Sequence, residues 1–107
     1  MRTFYRGMGE RDFIKWEKKK KIPKGVFLTP YRRVAIDYAL MWMDDVEKRR
    51  ISGRKQVPIF FKIELKDGEY EGTWKDVRHF GETELLKDIS ILRVVEVTII
   101  EPQGEAK

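Results

Sequence analysis

The sequence predicts an α+β fold in which two helices pack at one end of a mainly antiparallel sheet system. The first observation is the order of the elements: a strand and a helix alternate twice, and four further strand candidates follow. Strands that are grouped together after the helices favour α+β over an alternating parallel fold. The second observation is length, because residues 1–107 match a single compact domain with its own core.

The first strand and helix occupy the N-terminal quarter of the chain. Residues 2–6 alternate polar and aromatic side chains, which indicates a short strand, and Gly7 and Gly9 are expected to end it. The helix that follows ends in the lysine run at residues 18–21, where positive charges suit the helix dipole. Pro23 and Gly25 are expected to terminate this helix.

A second strand at residues 25–29 leads directly into the second helix. Thr29 is expected as its N-cap and Pro30 as its first helical residue. From Tyr31 to Val46 apolar residues recur at helical spacing, with acidic and basic residues on the opposite side. The sequence therefore predicts an amphipathic helix over this stretch.

The C-terminal half reads as strands joined by turns. An Asp-Gly turn signal follows the strongest strand candidate, and residues 75–81 are expected to form a loop. The chain end, residues 101–107, is expected to fray. The strand candidates are residues 56–65, 69–74, 82–86 and 90–100.

Composition excludes several classes of site. The absence of cysteine excludes disulfides and cysteine-based metal sites, and His79, the single histidine, cannot form a histidine cage, so no metal is expected. No apolar run approaches the ~20 residues that span a membrane. The first residues also lack the apolar core of a signal peptide. We therefore expect a soluble, cytoplasmic protein.

The charge balance is basic. The chain has 23 Lys and Arg against 18 Asp and Glu, a net charge of +5, which favours nucleotide phosphates, nucleic acid or an acidic protein as partners. It has no Asn, two Gln and 38% charged residues, which is typical of a heat-adapted protein. Heat adaptation also accounts for much of the Lys and Glu, so the charge alone does not specify a function.

The segment F-G-E-T-E-L-L contains the pattern that most resembles a site. Glu82 and Glu84 are two residues apart at the start of a strand candidate, so their side chains are expected on one face. Two carboxylates held close together disfavour ionisation of both unless a cation or substrate lies between them. The alternative is a solvated pair at a strand end.

Other residues are weaker candidates for binding. The lysine run at residues 18–21 either binds phosphates or RNA or is a solvated helix end. Trp74 lies in a loop region and is a candidate for stacking on a ligand, whereas Trp42 has core spacing. His79 is a candidate general acid or base without an evident partner. Arg6 could bind a phosphate through two hydrogen bonds, or be a surface arginine.

The order of these motifs is similar to that of a known family. Y-R-G on the first strand is followed by F-L-T-P, by a helix with V-A-I-D-Y-A, and later by G-E-T-E-L-L and a valine-rich strand. This series, over about residues 5–97, resembles the Arg–Ser–Glu class of mono-ADP-ribosyltransferases. Each motif is short, and the resemblance rests on their order, spacing and strand context. It implies a mainly antiparallel, split sheet.

The resemblance implies a site that binds NAD as co-substrate, without a metal, and transfers ADP-ribose to an acceptor or to water. Glu84 matches the catalytic glutamate, which faces an oxocarbenium-like centre as nicotinamide leaves. Glu82 matches the glutamate that orients the guanidinium acceptor in arginine-modifying members. Arg6 matches the arginine that grips a cofactor phosphate or ribose, and Gly7 would offer backbone hydrogen bonds to the nicotinamide amide.

The remaining correspondences concern the hydroxyl, the stacking group and the acceptor loop. Thr29 stands where the family has a hydroxyl that holds the catalytic glutamate, although F-L-T-P keeps one hydroxyl where the family has two serines. Tyr31 or Tyr38 would stack on the cofactor, unless Tyr38 belongs to the core. Residues 75–81 would form the loop that meets the acceptor, and Trp74, His79 and Phe80 would contact the acceptor there.

Two alternatives stay open at this stage. One is a non-catalytic module of the same fold that holds a nucleotide or nucleic acid on its basic surface. The other is an RNA 2′-phosphotransferase, which also uses NAD but for which further basic motif residues would be expected. The acceptor, whether protein or nucleic acid, and an antitoxin-like or other regulatory partner are not specified by the sequence.

Overall fold

The structure is a computed structural model that describes residues 1–47, 57–72 and 83–100. The expectation of a frayed tail at residues 101–107 lies outside these ranges. The helices are α1 (Glu10–Lys19) and α2 (Arg32–Glu47). The strands are β1 (Arg2–Gly9), β2 (Lys21–Ile22), β3 (Phe27–Leu28), β4 (Pro58–Leu65), β5 (Tyr70–Gly72), β6 (Thr83–Leu85), β7 (Ile89–Ser90) and β8 (Val94–Ile99).

The largest sheet has the strand order β1-β4-β8, and both pairings are antiparallel. β4 is its central strand, and six of its eight residues are buried because P-I-F-F-K-I-E-L has apolar residues on both faces. The register of β1 with β4 runs without interruption from Arg2 opposite Leu65 to Gly9 opposite Pro58. β1 thus continues through both glycines that were expected to end it.

Two smaller antiparallel sheets complete the strand pairing: β2 with β7, and β3-β6-β5. The sheet β3-β6-β5 meets the outer edge of β1 through a bridge between Tyr5 and Thr29. The N–H of each of these residues donates to the carbonyl of the other, at 2.7 and 2.9 Å. The α+β class and the mainly antiparallel pairing are thereby confirmed.

The two helices lie on opposite faces of the large sheet. Phe60 packs with Ala35 and Ala39 of α2, whereas its neighbour Phe61 points to the other face and contacts Phe13 of α1 at 5.3 Å between ring centroids. Successive strand residues alternate between faces, so the Phe-Phe pair requires apolar cover on both sides. This arrangement differs from the expected packing of both helices at one end.

Helix α1 ends earlier than the lysine run suggested. Lys19 is its last residue, and Lys20 adopts a left-handed conformation with φ 62° and closes the last turn through its N–H. Lys21 already belongs to β2, which pairs with β7. The helix was expected to reach Lys21 and ends two residues earlier, because pairing with β7 competes with helix extension.

Helix α2 begins two residues later than expected. Its first residue is Arg32, and the Tyr31 carbonyl accepts the first hydrogen bonds, from Val34 and Ala35. The Thr29 hydroxyl accepts a hydrogen bond from the Tyr31 N–H at 3.1 Å, outside the helix. The assignment of Thr29 as N-cap was thus wrong, because its backbone is committed to the bridge with β1.

The turn after β4 is stabilised by an ion pair. Gly68 adopts φ +90° in the expected Asp-Gly turn. Glu69, which is buried, accepts from the Arg93 guanidinium at 2.6 and 2.9 Å and from the Lys66 N–H at 2.6 Å. These hydrogen bonds hold the pKa of Glu69 at about 2, below its ordinary 4.5.

Neither helix in the described part of the chain is long and apolar enough to cross a bilayer.

Candidate functional site

A cleft of about 470 Å³ opens where β1, α1, β3 and α2 meet. Arg6, Gly7, Thr29 and Tyr38, the four residues predicted to bind the cofactor, all line it. They come from positions 6 to 38, and the bridge between Tyr5 and Thr29 joins the two backbone segments that carry Arg6, Gly7 and Thr29. A second groove, of about 690 Å³, lies between α1 and residues 90–97 and contains none of the predicted site residues.

Arg6 is the most constrained charged group of the cleft. Its Nη1 donates to the Phe27 carbonyl at 2.8 Å, and the guanidinium carbon lies 5.5 Å from the centre of the Trp16 ring. Such a cation–π contact stabilises an arginine that has lost part of its water. The Nε atom is buried and has no hydrogen-bond partner within the described residues. Arg6 therefore keeps a donor unused while its side chain is held on two sides.

Burial dominates the electrostatics of Arg6. It lowers the pKa of the guanidinium below its ordinary value, whereas the charges of Asp12 and then Tyr38 act in the opposite direction. The group remains a cation at any physiological pH, since arginine titrates far above that range. A buried cation with an unused donor gains most from an anion that supplies both charge and an acceptor oxygen.

Gly7 allows α2 to lie directly against β1. A Cβ at this position would lie 1.8 Å from the Ala35 carbonyl oxygen and 2.9 Å from the Ala39 nitrogen. The close approach explains the glycine through packing. The Tyr5 N–H and carbonyl point toward Thr29, so the N–H and carbonyl of Gly7, two residues on, face the same edge of β1. Gly7 itself lines the cleft.

Thr29 and Tyr38 differ in exposure. Thr29 is buried, and its side chain is tied to the Tyr31 N–H. No hydrogen bond joins it to Glu84, although both residues are described, so the role of holding the glutamate stays a prediction. Tyr38 is about half exposed at 51% and lines the cleft, which agrees with a contact residue better than with a core residue.

Glu84 does not itself line the cleft, but its neighbour on the adjacent strand does. It is the middle residue of β6 and stands directly opposite Phe27 of β3. Directly opposed residues of antiparallel strands share a face, and Phe27, exposed at 46%, lines the cleft. Glu84 is half-buried, and one of its oxygens lies 4.0 Å from the position of a Cβ on Gly25. On its other side it pairs with Glu71 of β5, which is exposed.

Four predicted site residues lie outside the described part of the chain. They are the second glutamate, Glu82, and the proposed acceptor contacts Trp74, His79 and Phe80. Their roles stay predictions. Within the described residues, no group of three or more histidine or acidic side chains is arranged to hold a metal ion.

The structure adds residues to the cleft that sequence reasoning missed. Asp12, Lys15 and Trp16 of α1 all line it. Their spacing is i, i+3 and i+4, which places them on one face of a helix. That spacing was visible in the sequence, but nothing local indicated that this face meets β1 at Arg6. Phe27 was also missed as a cleft residue, since it read as an ordinary strand residue.

Comparisons with known proteins establish the fold alone. No protein-family model matches the sequence, and no curated protein matches it. Among solved structures, the chain is similar to the crystal structure of protein CC0527 from Caulobacter crescentus, with a TM-score of 0.61 and 5% sequence identity. The match covers 95% of this chain and 89% of that one. Function therefore has to be argued from the chemistry of the cleft.

Proposed function

We propose that this cleft binds NAD and that the protein uses Glu84 to transfer ADP-ribose to an acceptor or to water. One observation carries the proposal: Arg6 on β1, Thr29 directly after β3 and Glu84 on β6 belong to backbone segments that are joined edge to edge. Tyr5, the neighbour of Arg6, bridges to Thr29, and Arg6 itself donates to the carbonyl of Phe27. Phe27 in turn stands directly opposite Glu84. The segments that carry the arginine, the hydroxyl residue and the glutamate are thus connected to one another in the same order as in the sequence.

The cleft has the size and the donors that a dinucleotide needs. Its volume of about 470 Å³ falls within the range of about 300 to 1,000 Å³ for small-molecule sites. Arg6 lines the cleft and offers its positive charge to a phosphate. The N–H and carbonyl of Gly7 match the two hydrogen-bonding groups of a carboxamide. Tyr38 and Phe27 provide exposed aromatic faces for a ring or a ribose.

Glu84 would act on the bond between nicotinamide and ribose. When this bond breaks, its electron pair goes to the nicotinamide nitrogen, and positive charge develops on the ribose. A carboxylate beside the ribose stabilises that charge more in the transition state than in the ground state, which accelerates cleavage. The acceptor then adds to the ribose carbon and loses a proton. An arginine side chain and water are the two acceptors that the proposal includes.

The test is nicotinamide release from NAD by Glu84→Gln, with Glu71→Gln as the matched control. Both changes remove one charge from directly opposed positions on the same sheet. We expect release to fall by at least about 100-fold in the first variant and to change less than about twofold in the second. Equal turnover in wild type and Glu84→Gln, with both proteins folded by circular dichroism, would refute the catalytic assignment.

A non-catalytic nucleic-acid module is the second candidate, and the exposed lysines at the end of α1 favour it. Lys18, Lys19 and Lys20 are all exposed, and no ion pair within the described residues engages them. This candidate predicts binding to RNA or DNA that weakens steeply with salt. It also predicts no nicotinamide release. Salt-independent or absent binding of a mixed-sequence RNA would exclude it.

A further inference from the structure

Two side chains of α1 place opposite charges at the mouth of the cleft. Asp12 and Lys15 lie one turn apart on the helix face that contributes Trp16 to the lining. The Arg6 guanidinium lies over the Trp16 ring. The described part of the lining thus holds two cations and one anion.

Asp12 interacts with both cations but is firmly bound to neither. Its Oδ1 lies 3.7 Å from Lys15 Nζ, near the limit of an ion pair, and the two side chains remain 41% and 72% exposed. An ion pair with this exposure contributes little, about 0 to 1 kcal/mol. Asp12 also acts on Arg6 through its charge, although no direct hydrogen bond joins the two. A ligand anion can therefore replace it at low cost.

The Asp12 carboxylate partly neutralises the two cations of the cleft while no ligand anion is bound. Arg6 is buried, its Nε has no partner within the described residues, and a carboxylate near it supplies part of the missing negative charge. A phosphate that entered between Arg6 and Lys15 would supply the same charge together with acceptor oxygens. The same phosphate would also meet the charge of Asp12, and this repulsion grows with the charge of the ligand.

We propose that Asp12 is the counter-ion that a ligand phosphate displaces, and that it makes the cleft select the singly charged bridging phosphates of a dinucleotide over terminal phosphate groups. Each phosphate inside a dinucleotide carries one negative charge, whereas a terminal phosphate carries nearly two at neutral pH. The inference deepens the proposed function and rests on it for the identity of the dinucleotide. Asp12 touches no reacting atom and is a specificity-determining residue.

The experiment is calorimetric binding of NAD, of NADP and of ADP-ribose to wild type, Asp12→Asn and Glu10→Gln. NADP differs from NAD by one terminal phosphate. Glu10 shares the first turn of α1 with Asp12 but does not line the cleft, so it controls for the helix dipole. We expect Asp12→Asn to tighten NAD binding about three- to tenfold, and NADP binding by about a further threefold. Glu10→Gln should leave all three affinities within about twofold of wild type.

The outcomes separate this inference from the proposed function. Equal affinities in Asp12→Asn and Glu10→Gln, with NAD still bound and cleaved, overturn the inference and leave the function standing. Tighter binding of ADP-ribose and NADP by Asp12→Asn alone, without cleavage of NAD by any variant, supports the inference and counts against the function. Binding of none of the three probes by any variant overturns both.

Discussion

Gly7→Ala would place a methyl group inside the backbone of α2. The new Cβ would lie 1.8 Å from the Ala35 carbonyl oxygen, whereas real Cβ atoms essentially never approach another atom closer than 3.0 Å. The Ala39 nitrogen lies within that limit as well, at 2.9 Å. Both are helix backbone atoms, so no side-chain rotation can relieve the overlap. The helix must move away from β1 by about an ångström.

The loss of stability follows from the packing contacts that this movement of α2 breaks. Ala35 and Ala39 are fully buried against Phe60, and a displaced helix loses part of that contact. Overpacking in a core typically costs about 1 to 3 kcal/mol and occasionally more. Because the whole helix has to shift, we expect about 3 kcal/mol, which in a domain of this size lowers Tm by roughly 12 to 20 °C.

Urea unfolding followed by circular dichroism measures this cost directly. Gly68→Ala is the matched control, because Gly68 has φ +90° and a Cβ there would meet no atom within 4 Å. It should cost only the strain of a left-handed alanine, about 1 to 2 kcal/mol. A Gly7→Ala variant that is no less stable than Gly68→Ala would refute the reasoning, since it would show that α2 can move without loss.

Two further predictions concern stability. Replacing Glu69 with glutamine should reduce the free energy of unfolding by about 2 kcal/mol at pH 7, because the Arg93 guanidinium loses its carboxylate. The folded pKa of Glu69 is depressed to about 2 from 4.5, so the contribution is complete above about pH 5 and is lost as pH falls toward 2. Urea titrations from pH 7 down to pH 2 should therefore show wild type losing its advantage over the variant; a constant difference would contradict the assignment. Thr29→Ala should lower the unfolding free energy by about 1 kcal/mol through loss of the hydrogen bond from Tyr31, and Thr29→Ser should restore most of it. Equal stability of the alanine and serine variants would show that this hydrogen bond contributes nothing.

The amino-acid sequence by itself determined the elements that depend on local pattern. The apolar run of β4, the Asp-Gly turn after it and the apolar period of α2 each predicted the right type of structure at nearly the right place. These patterns succeed because burial of a strand or helix face imposes a period of 2 or 3.6 residues on neighbouring positions. The candidate residues Arg6 and Glu84 were also chosen from short motifs that the sequence contains.

Only the tertiary structure decided where the elements end and what meets at the cleft. Lys21 is in a strand because β7, far along the chain, pairs with it, and Thr29 is outside α2 because Tyr5 pairs with it. Asp12 and Lys15 became cleft residues only when α1 was placed against β1. Pairing partners and helix faces are settled by contacts between distant residues, whose free energies are summed over the whole core. The local spacing of apolar residues in the sequence does not indicate which of those contacts form.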